Sequence, residues 1–360
     1  MASTFDLRTA PGTPPSEPPR ADQVPAPRAS GTGLRPIAAN DVGPSDVIPV
    51  TFDAAYTWDV SPKRNDLRAL YEKSKLLQWN AATDIDWSID VDPEKENVPD
   101  SFIPIYGTPM FDKLDKKREL PNLRRHSSAY MLSNFLHGEQ GALFATSQLV
   151  LAVPSADAKL YASTQVIDEA RHVEAYDRYL REKIELVYPI SPHLRMLLDE
   201  ILRESRWDMK YLGMQILVEG LALASFGMIS QTADEPLIKQ IVTMIMRDEA
   251  RHVAFGVLSL RGLYAELSSS ELRDREDFVL EASRLMRDRL MAQEVWENLG
   301  MPVKECMEAM NHSPTMILFR SLLFSKIVPN TKRIGLWTPR IQQGFADLGV
   351  LHYEHCDPDA

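Results

Sequence analysis

Two copies of the hexapeptide Asp-Glu-Ala-Arg-His-Val carry side chains whose types and spacing could bind metal. The copies occupy residues 168–173 and 248–253. Each copy contains a Glu-x-x-His pattern, and residues three positions apart lie on the same face of a helix. The carboxylate of Glu169 and the imidazole of His172 can therefore point to one place. The second copy repeats this arrangement.

Each hexapeptide also has a glutamate 30 residues upstream of its own glutamate, inside an otherwise apolar helical run. These upstream residues are Glu139, in FLHGEQGALF, and Glu219, in ILVEGLALA. The matched positions 139 and 219, 169 and 249, and 172 and 252 are all separated by 80 residues. A constant offset of this kind indicates internal duplication of one supersecondary unit. The predicted unit is a helical hairpin.

The predicted turns of the two hairpins lie midway between the paired glutamates. Pro154 is the midpoint of the first half, and the segment 232–236, Thr-Ala-Asp-Glu-Pro, contains the midpoint of the second. In an antiparallel helix pair, residues equally far from the turn lie at the same height because the rise per residue is constant. We therefore expect Glu139 to face the first Glu-x-x-His pair and Glu219 to face the second.

Packing the hairpins together would gather four carboxylates and two imidazoles in the middle of a bundle. Carboxylates buried on apolar helices are costly unless cations meet their charge. Mixed carboxylate and imidazole ligands suit iron or manganese more than zinc, and this pattern is that of di-iron helical bundles. The sequence thus predicts a centre of two iron ions, with manganese possible. The predicted metal ligands are Glu139, Glu169, His172, Glu219, Glu249 and His252.

Four further residues of the hexapeptides are candidates for the layer behind the ligands. Asp168 and Asp248 immediately precede the ligand glutamates. Metal-binding histidines commonly donate their second ring N–H to a carboxylate. We expect each aspartate to accept such a bond, from the histidine of the other half, and Arg171 and Arg251 to hold the aspartates.

These motifs resemble the ferritin-like carboxylate-bridged non-heme di-iron oxygenase superfamily. The Asp-Glu-x-Arg-His motif is similar to that of bacterial multicomponent monooxygenase hydroxylases and of the ribonucleotide reductase small subunit, and the resemblance covers about residues 130–260. It implies an oxo- or hydroxo-bridged iron pair that activates dioxygen when reduced. It also implies that the six residues named above are the metal ligands and that the four glutamates among them belong to the catalytic centre.

Three positions help to distinguish branches of this superfamily. Arylamine N-oxygenases have an extra histidine ligand one turn before the last ligand glutamate, and Ile245 at this position argues against that branch. The ribonucleotide reductase small subunit usually begins its ligand set with Asp, whereas this chain has Glu139. Tyr176 matches the radical tyrosine of that subunit. It is a candidate catalytic residue, and a core tyrosine hydrogen-bonded near the site is the alternative.

Composition sets the remaining bounds on function. The chain has 360 residues, 44% of them hydrophobic, and a net charge of −11 without a long basic run, which disfavours nucleic acid and anionic membranes as partners. Two cysteines suit a reducing cytoplasm and exclude a disulfide framework. No secretory signal is predicted because the N-terminus lacks an apolar segment. No membrane span is predicted because charges such as Glu219 interrupt the apolar helices.

The expected fold class is all-α, a ferritin-like four-helix bundle with additional N- and C-terminal helices. The predicted divisions are a disordered Pro-rich leader (1–45), an N-terminal extension wrapping the core (46–126), the di-metal bundle (127–266) and C-terminal helices (267–360). The predicted helices are 61–79, 127–153, 155–187, 192–231, 235–266, 268–300, 302–311, 315–327 and 338–349.

The resulting hypothesis is an oxygenase that uses O2 to hydroxylate, N-oxygenate or desaturate a small, mostly apolar substrate. Electrons would come from a separate reductase or ferredoxin, since the chain has no flavin or iron–sulfur motif, and the superfamily suggests a homodimer. Two alternatives are a radical-generating or metal- or peroxide-oxidising protein without organic substrate, and a non-enzymatic helical protein with a vestigial metal site. A substrate pocket is expected beside the small residues Gly138, Gly141, Ala142, Ala222 and Ser225, with apolar walls including Phe144, Phe226 and Ile245.

Overall fold

The computed structural model describes residues 47–288 and 291–357, and regular structure in these residues is helical without β-strands. The all-α prediction is confirmed. The predicted leader, 1–45, lies outside the described residues. The helices are α1 Asn65–Leu76, α2 Pro109–Asp112, α3 Glu119–Ala152, α4 Ala156–Tyr179, α5 Pro192–Arg203, α6 Trp207–Thr232, α7 Pro236–Leu260, α8 Ser269–Asp288, α9 Gln293–Asn298, α10 Val303–His312, α11 Pro314–Leu322, α12 Ile327–Arg333 and α13 Pro339–Asp347.

The helices α3 and α4 form one hairpin, and α6 and α7 form the other. The first turn contains Pro154, and the Ser155 side chain caps α4 by accepting a backbone N–H of its first turn. The second turn ends at Glu235, whose carboxylate accepts two backbone N–H groups of α7, while Pro236 takes the first helical position. Both turns lie where the sequence predicts them.

The predicted helix 192–231 is interrupted in the structure. It divides into α5 and α6 at Glu204–Arg206 because the Glu204 carboxylate accepts the backbone N–H of Arg206 at 2.8 Å and also binds its guanidinium. Such local side-chain bonds compete with helical hydrogen bonds. Within α6, residues Leu212–Val218 widen into a π-helical segment that ends at the predicted ligand Glu219. Segments of this kind occur frequently at functional sites.

Several predicted helices are longer than the observed ones. The predicted helix 235–266 ends at Leu260, because Gly262 adopts a φ of 86° that glycine tolerates. In the region 268–300, α8 is separated from α9, which begins after Ala292 at a φ of 48°. The segment 315–327 is divided between α11 and α12 by a tight turn in which Phe324 N donates to Ser321 O.

Helix α6 is long and apolar enough to cross a membrane, but 78% of its most apolar window is buried inside the protein. This burial is typical of a core helix, which can have the same length and apolar composition as a membrane span. Buried apolar side chains form two clusters. One cluster contains Tyr161 and Phe255, and the other contains Phe135, Tyr176 and Phe226.

Candidate metal centre

All six side chains predicted as metal ligands lie together in the interior. Each is at most 5% exposed to solvent. They form two groups whose ligand atoms lie within 4.8 Å of one another, and Glu169 belongs to both. The first group is Glu139, Glu169, His172 and Glu249, and the second is Glu169, Glu219 and His252.

The two ring nitrogen atoms of His172 have different neighbours, which orient the ring for metal binding. Its Nδ1 lies 3.1 Å from Glu139 Oε2 and 3.2 Å from Glu249 Oε1. Its Nε2 donates to Asp248 Oδ2 at 3.1 Å. Because Nε2 is engaged, Nδ1 is the nitrogen available to a metal among the carboxylates.

His252 has the corresponding arrangement, with partners from both halves. Its Nδ1 lies 3.2 Å from Glu169 Oε1 and 3.5 Å from Glu249 Oε2. Its Nε2 donates to Asp168 Oδ2 at 3.2 Å. Each aspartate therefore contacts the histidine of the opposite hexapeptide, which ties α4 and α7 together.

Two arginines compensate the charge of these aspartates. Arg171 pairs with Asp168 and lies 3.4 Å from Asp248 Oδ2. Arg251 pairs with Asp248 and lies 3.6 Å from Asp168 Oδ2. The four side chains form a buried network behind the histidines.

Part of this network comes from the end of α1, which sequence reasoning missed. Trp79 Nε1 donates to Asp248 Oδ2 at 2.7 Å, and its ring centroid lies 5.1 Å from the Arg171 guanidinium. Gln78 Nε2 donates to Asp168 Oδ1 at 2.9 Å. No spacing in the sequence relates residues 78–79 to the hexapeptides.

Two buried glutamines contact the ligand carboxylates and were also missed. Gln165 Nε2 lies 2.9 Å from both Glu169 Oε1 and Glu219 Oε1. Gln215 Nε2 lies 3.5 Å from Glu219 Oε1. A signal for them exists, since each precedes a ligand glutamate by one helical turn.

The pKa shifts in the cluster reflect buried carboxylates whose mutual repulsion bound cations would relieve. Burial, followed by the charge of Glu249, raises the pKa of Glu139 to about 8. Burial and the charges of Glu249 and Glu169 raise the pKa of Glu219 well above its usual value. Burial alone would lower the pKa of His172, but the neighbouring carboxylates, Glu139 first, raise it well above the ordinary value.

Partnerless buried atoms provide a structural test of whether metals fit this site. Among the described residues, the side-chain atoms without a hydrogen-bond partner include Glu169 Oε2, Glu219 Oε2, both carboxylate oxygens of Glu249 and His252 Nδ1. Unpaired polar atoms are costly in the interior, and each requires an explanation. These are hard oxygen donors and an imidazole nitrogen, which fit a pair of iron or manganese ions.

Tyr176 lies beside this cluster in an apolar environment. Its ring is fully buried and packs against Phe135, at 5.8 Å between centroids, and Phe226, at 6.1 Å. Burial, then the charges of Glu139 and Glu249, raises the pKa of Tyr176 well above its usual value. Its hydroxyl has no hydrogen-bond partner in the described part of the chain. The alternative, a core tyrosine hydrogen-bonded near the site, thus has no protein partner among these residues, and both interpretations of Tyr176 stay predictions.

Comparison with known proteins adds independent findings. The family described as P-aminobenzoate N-oxygenase AurF matches residues 62–335. Two solved variants of an R2-like ligand-binding oxidase, one with an aerobically and one with an anaerobically reconstituted Mn/Fe cofactor, are each 17% identical and superimpose with a TM-score of 0.50. Both matches cover 76% of this chain, and 95% and 94% of the respective oxidase chains. Among curated proteins, no sequence matches. The structural likeness confirms the ferritin-like fold.

The family match corrects one expectation. Ile245, in place of an extra histidine ligand, argued against the arylamine N-oxygenases, and that inference is wrong. The match spans position 245, so one ligand position does not decide membership. In the structure, Ile245 is fully buried among apolar side chains.

Proposed function

This chain belongs to the p-aminobenzoate N-oxygenase (AurF) family, and we propose that it activates O2 at two metal ions to oxidise a small, mostly apolar organic substrate. It is an oxidoreductase of the ferritin-like dimetal superfamily. The observation that supports the proposal is the interior cluster of four carboxylates and two imidazoles, each imidazole oriented by an aspartate.

The six side chains would hold two metals with shared bridging carboxylates. Glu139 and His172 would bind one ion, Glu219 and His252 the other, and the remaining two glutamates would bridge. The proposed metal is iron, with manganese as the alternative. When bound and reduced, such a pair supplies electrons for the reduction of dioxygen. The chain itself fixes the two imidazoles and excludes water from the centre.

A cavity between α3, α6 and the N-terminal extension provides the proposed substrate site. Its volume of about 90 Å³ exceeds several times the roughly 10–15 Å³ that one water molecule needs. Phe102, Met131, Phe135 and Ile229 are among its apolar lining residues. Because Phe135 also packs against Tyr176, the cavity adjoins the apolar side of the metal centre.

This location differs from the pocket expected from the sequence. Of the small residues proposed to leave space, only Ser225 lines the cavity. A side chain at Gly141 would meet Leu198 at 2.5 Å, so this glycine permits close packing of α3 against α5. The predicted wall residue Phe144 is 48% exposed.

Two polar atoms define the chemistry of the cavity. Asn134 donates from Nδ2 to Tyr130 O at 2.9 Å, and its Oδ1 is a buried acceptor without a partner among the described residues. The Ser127 hydroxyl is also buried and partnerless, and both residues line the cavity. We infer that the substrate carries an N–H or O–H group. Arg124 at the cavity is already bound by both oxygens of Asp100, so it does not call for an anionic substrate.

The proposed reaction is balanced by an external electron donor. Incorporation of one oxygen atom from O2 into the substrate requires two electrons and two protons, and the second oxygen leaves as water. A separate reductase or ferredoxin would supply the electrons, because the two cysteines of the chain cannot bind an iron–sulfur cluster by themselves. Hydroxylation and N-oxygenation follow this stoichiometry, and the family favours arylamines as the first substrates to test.

The test is anaerobic loading with two equivalents of Fe(II), followed by measurement of O2 uptake with and without aniline-type substrates. We expect uptake that depends on the substrate, and a product that contains oxygen from ¹⁸O2. Glu169→Ala is the matched control, since removal of the proposed bridge should abolish loading with two metals. Substrate-independent uptake by the wild-type protein would contradict the proposal, and retention of both metals by Glu169→Ala would contradict the assignment of the ligands.

A radical-generating function is the second candidate, and the partnerless hydroxyl of Tyr176 favours it. That function would give a tyrosyl electron paramagnetic resonance signal after exposure to O2. The signal should be absent from Tyr176→Phe, with metal loading unchanged. A non-enzymatic role would instead give no O2 uptake by the reduced protein. The cytoplasmic location and the homodimer stay predictions, as do the sequence-based domain divisions.

A further inference from the structure

The two halves of the metal centre are equivalent in their ligands but not in the residues around them. The 80-residue offset that relates each ligand to its counterpart relates Gln165 to Ile245 and Gln215 to Phe135. Each hairpin therefore has one amide and one apolar side chain at these positions, but both amides contact Glu219, and their counterparts around Glu139 would be apolar.

The amides converge on one terminal carboxylate. Gln165 and Gln215 both donate to Glu219 Oε1, at 2.9 Å and 3.5 Å, and both glutamines are fully buried. Gln165 also donates to Glu169 Oε1 at 2.9 Å, which links Glu219 to a bridging carboxylate. The Glu219 side chain is thus fixed before a metal binds.

Glu139 lacks corresponding support in the described residues. The hydrogen bond recorded for its carboxylate is with His172, which is itself a proposed ligand. The counterparts of the two glutamines, Phe135 and Ile245, lie in an apolar cluster, where Phe135 packs edge to face against Phe226 at 4.9 Å. Neither can hold the Glu139 carboxylate in place.

We propose that Gln165 and Gln215 are positioning residues that make the two metal positions unequal. The position of Glu219 and His252 binds its ion more tightly, and the position of Glu139 and His172 is the exchangeable one. Groups behind metal ligands commonly change metal affinity by about 10–100-fold because they preorganise the ligands. This inference rests on the proposed dimetal centre.

Before Glu249 is shared as a bridge, the number of side chains grouped at each position predicts the opposite order. Four side chains surround the Glu139 position within 4.8 Å, whereas three surround the Glu219 position. The two explanations therefore make contrary predictions about which metal is lost first. If preorganisation of Glu219 dominates, the ion that exchanges is the one held by Glu139 and His172. This ion lies on the side of the cavity, since Phe135 lines the cavity and packs against Tyr176.

The experiment is an anaerobic calorimetric titration of the metal-free full-length protein with Mn(II), with unbound Mn(II) counted by electron paramagnetic resonance. Two binding steps are expected. Glu219→Ala should remove the tighter step, and Glu139→Ala should remove the weaker one. Gln165→Met and Gln215→Met should weaken the tighter step by about 10–100-fold and leave the weaker step nearly unchanged.

Gln240→Met is the matched control. Gln240 lies on α7, and its side chain contacts the loop at Asp84 and Asp86, away from the metal ligands. Both binding steps should be unchanged in this variant. If either positioning variant fails to fold by circular dichroism, Ile245→Gln gives an independent test. An amide at the counterpart position should tighten the weaker step.

The inference is overturned if Glu139→Ala removes the tighter step, if the two glutamine variants weaken both steps equally, or if Ile245→Gln leaves the weaker step unchanged. These results are distinguishable from failure of the proposed function. A wild-type protein that binds no second Mn(II) refutes the dimetal centre itself. A wild-type protein with two steps that are insensitive to the glutamines refutes the positioning role alone.

Discussion

Replacement of Asp248 by asparagine tests the layer behind the metal ligands most directly. Asp248 is 1% exposed and accepts hydrogen bonds from His172 Nε2 at 3.1 Å and Trp79 Nε1 at 2.7 Å. Burial alone would raise its pKa, but the bond with His172 and the nearby cations hold the pKa below the usual range. The carboxylate is therefore ionised in the folded protein. Asparagine keeps its size but removes the charge and turns one acceptor into a donor.

The expected effect on metal binding follows from the bond to His172. Loss of such a partner costs about 10–100-fold in metal affinity, which corresponds to about 1.4–2.7 kcal/mol. The metal-free protein should also lose stability, by up to about 3–5 kcal/mol, because the buried Arg251 loses its paired carboxylate and keeps only Asp168, at 3.6 Å. Calorimetric titration with Mn(II) and denaturant unfolding of the metal-free protein measure the two quantities separately.

Asp277→Asn is the control for loss of an aspartate charge. Asp277 pairs with Arg340 at the surface, where its side chain is 53% exposed. Exposed pairs contribute between about 0 and 1 kcal/mol, so stability should change little and metal binding not at all. If Asp248→Asn bound both metal ions with wild-type affinity, the proposed role of Asp248 in orienting His172 would be refuted. A loss of stability without a loss of affinity would assign Asp248 to the fold alone.

Four further substitutions test other parts of the structure. Trp79→Phe keeps an aromatic ring but removes the indole N–H, so metal affinity should fall by less than about 10-fold in the same titration; an unchanged affinity would contradict the contact. Gly138→Ala should stabilise the protein by about 0.5–1 kcal/mol because its Cβ would meet no atom within 4 Å, whereas Gly141→Ala should destabilise it by about 1–3 kcal/mol through overpacking. Equal thermal shifts of the two variants would refute this difference. Asn134→Leu should remove a preference of the wild-type protein for phenol over toluene in calorimetric binding, and a preference that survives would exclude Asn134 as the acceptor.

The six clustered side chains were predictable because helix geometry is local. A Glu-x-x-His pattern places both side chains on one face whatever surrounds the helix, and a repeated offset preserves the relation in both halves. The turns at Pro154 and near Glu235 were predictable for a similar reason, since both carry strong stop and start signals.

Other contacts had no local signal. Trp79 reaches Asp248 across 169 positions of sequence, and only the packing of the end of α1 against the bundle brings them together. The proposed cavity lies elsewhere than the pocket expected from the sequence, because small residues predict space equally well wherever helices approach closely. At Gly141 that space is filled by Leu198, a residue of another helix.

By itself, the sequence determined the helical class, the duplicated hairpin and the set of side chains able to share one interior cluster. Tertiary structure alone decided that Trp79 contacts Asp248, that two glutamines hold Glu219, and that the cavity lies beside Phe135. The reason is physical. The direction of a side chain along a helix follows from a constant rise and rotation per residue, whereas its neighbour on another helix depends on how all the helices pack at once.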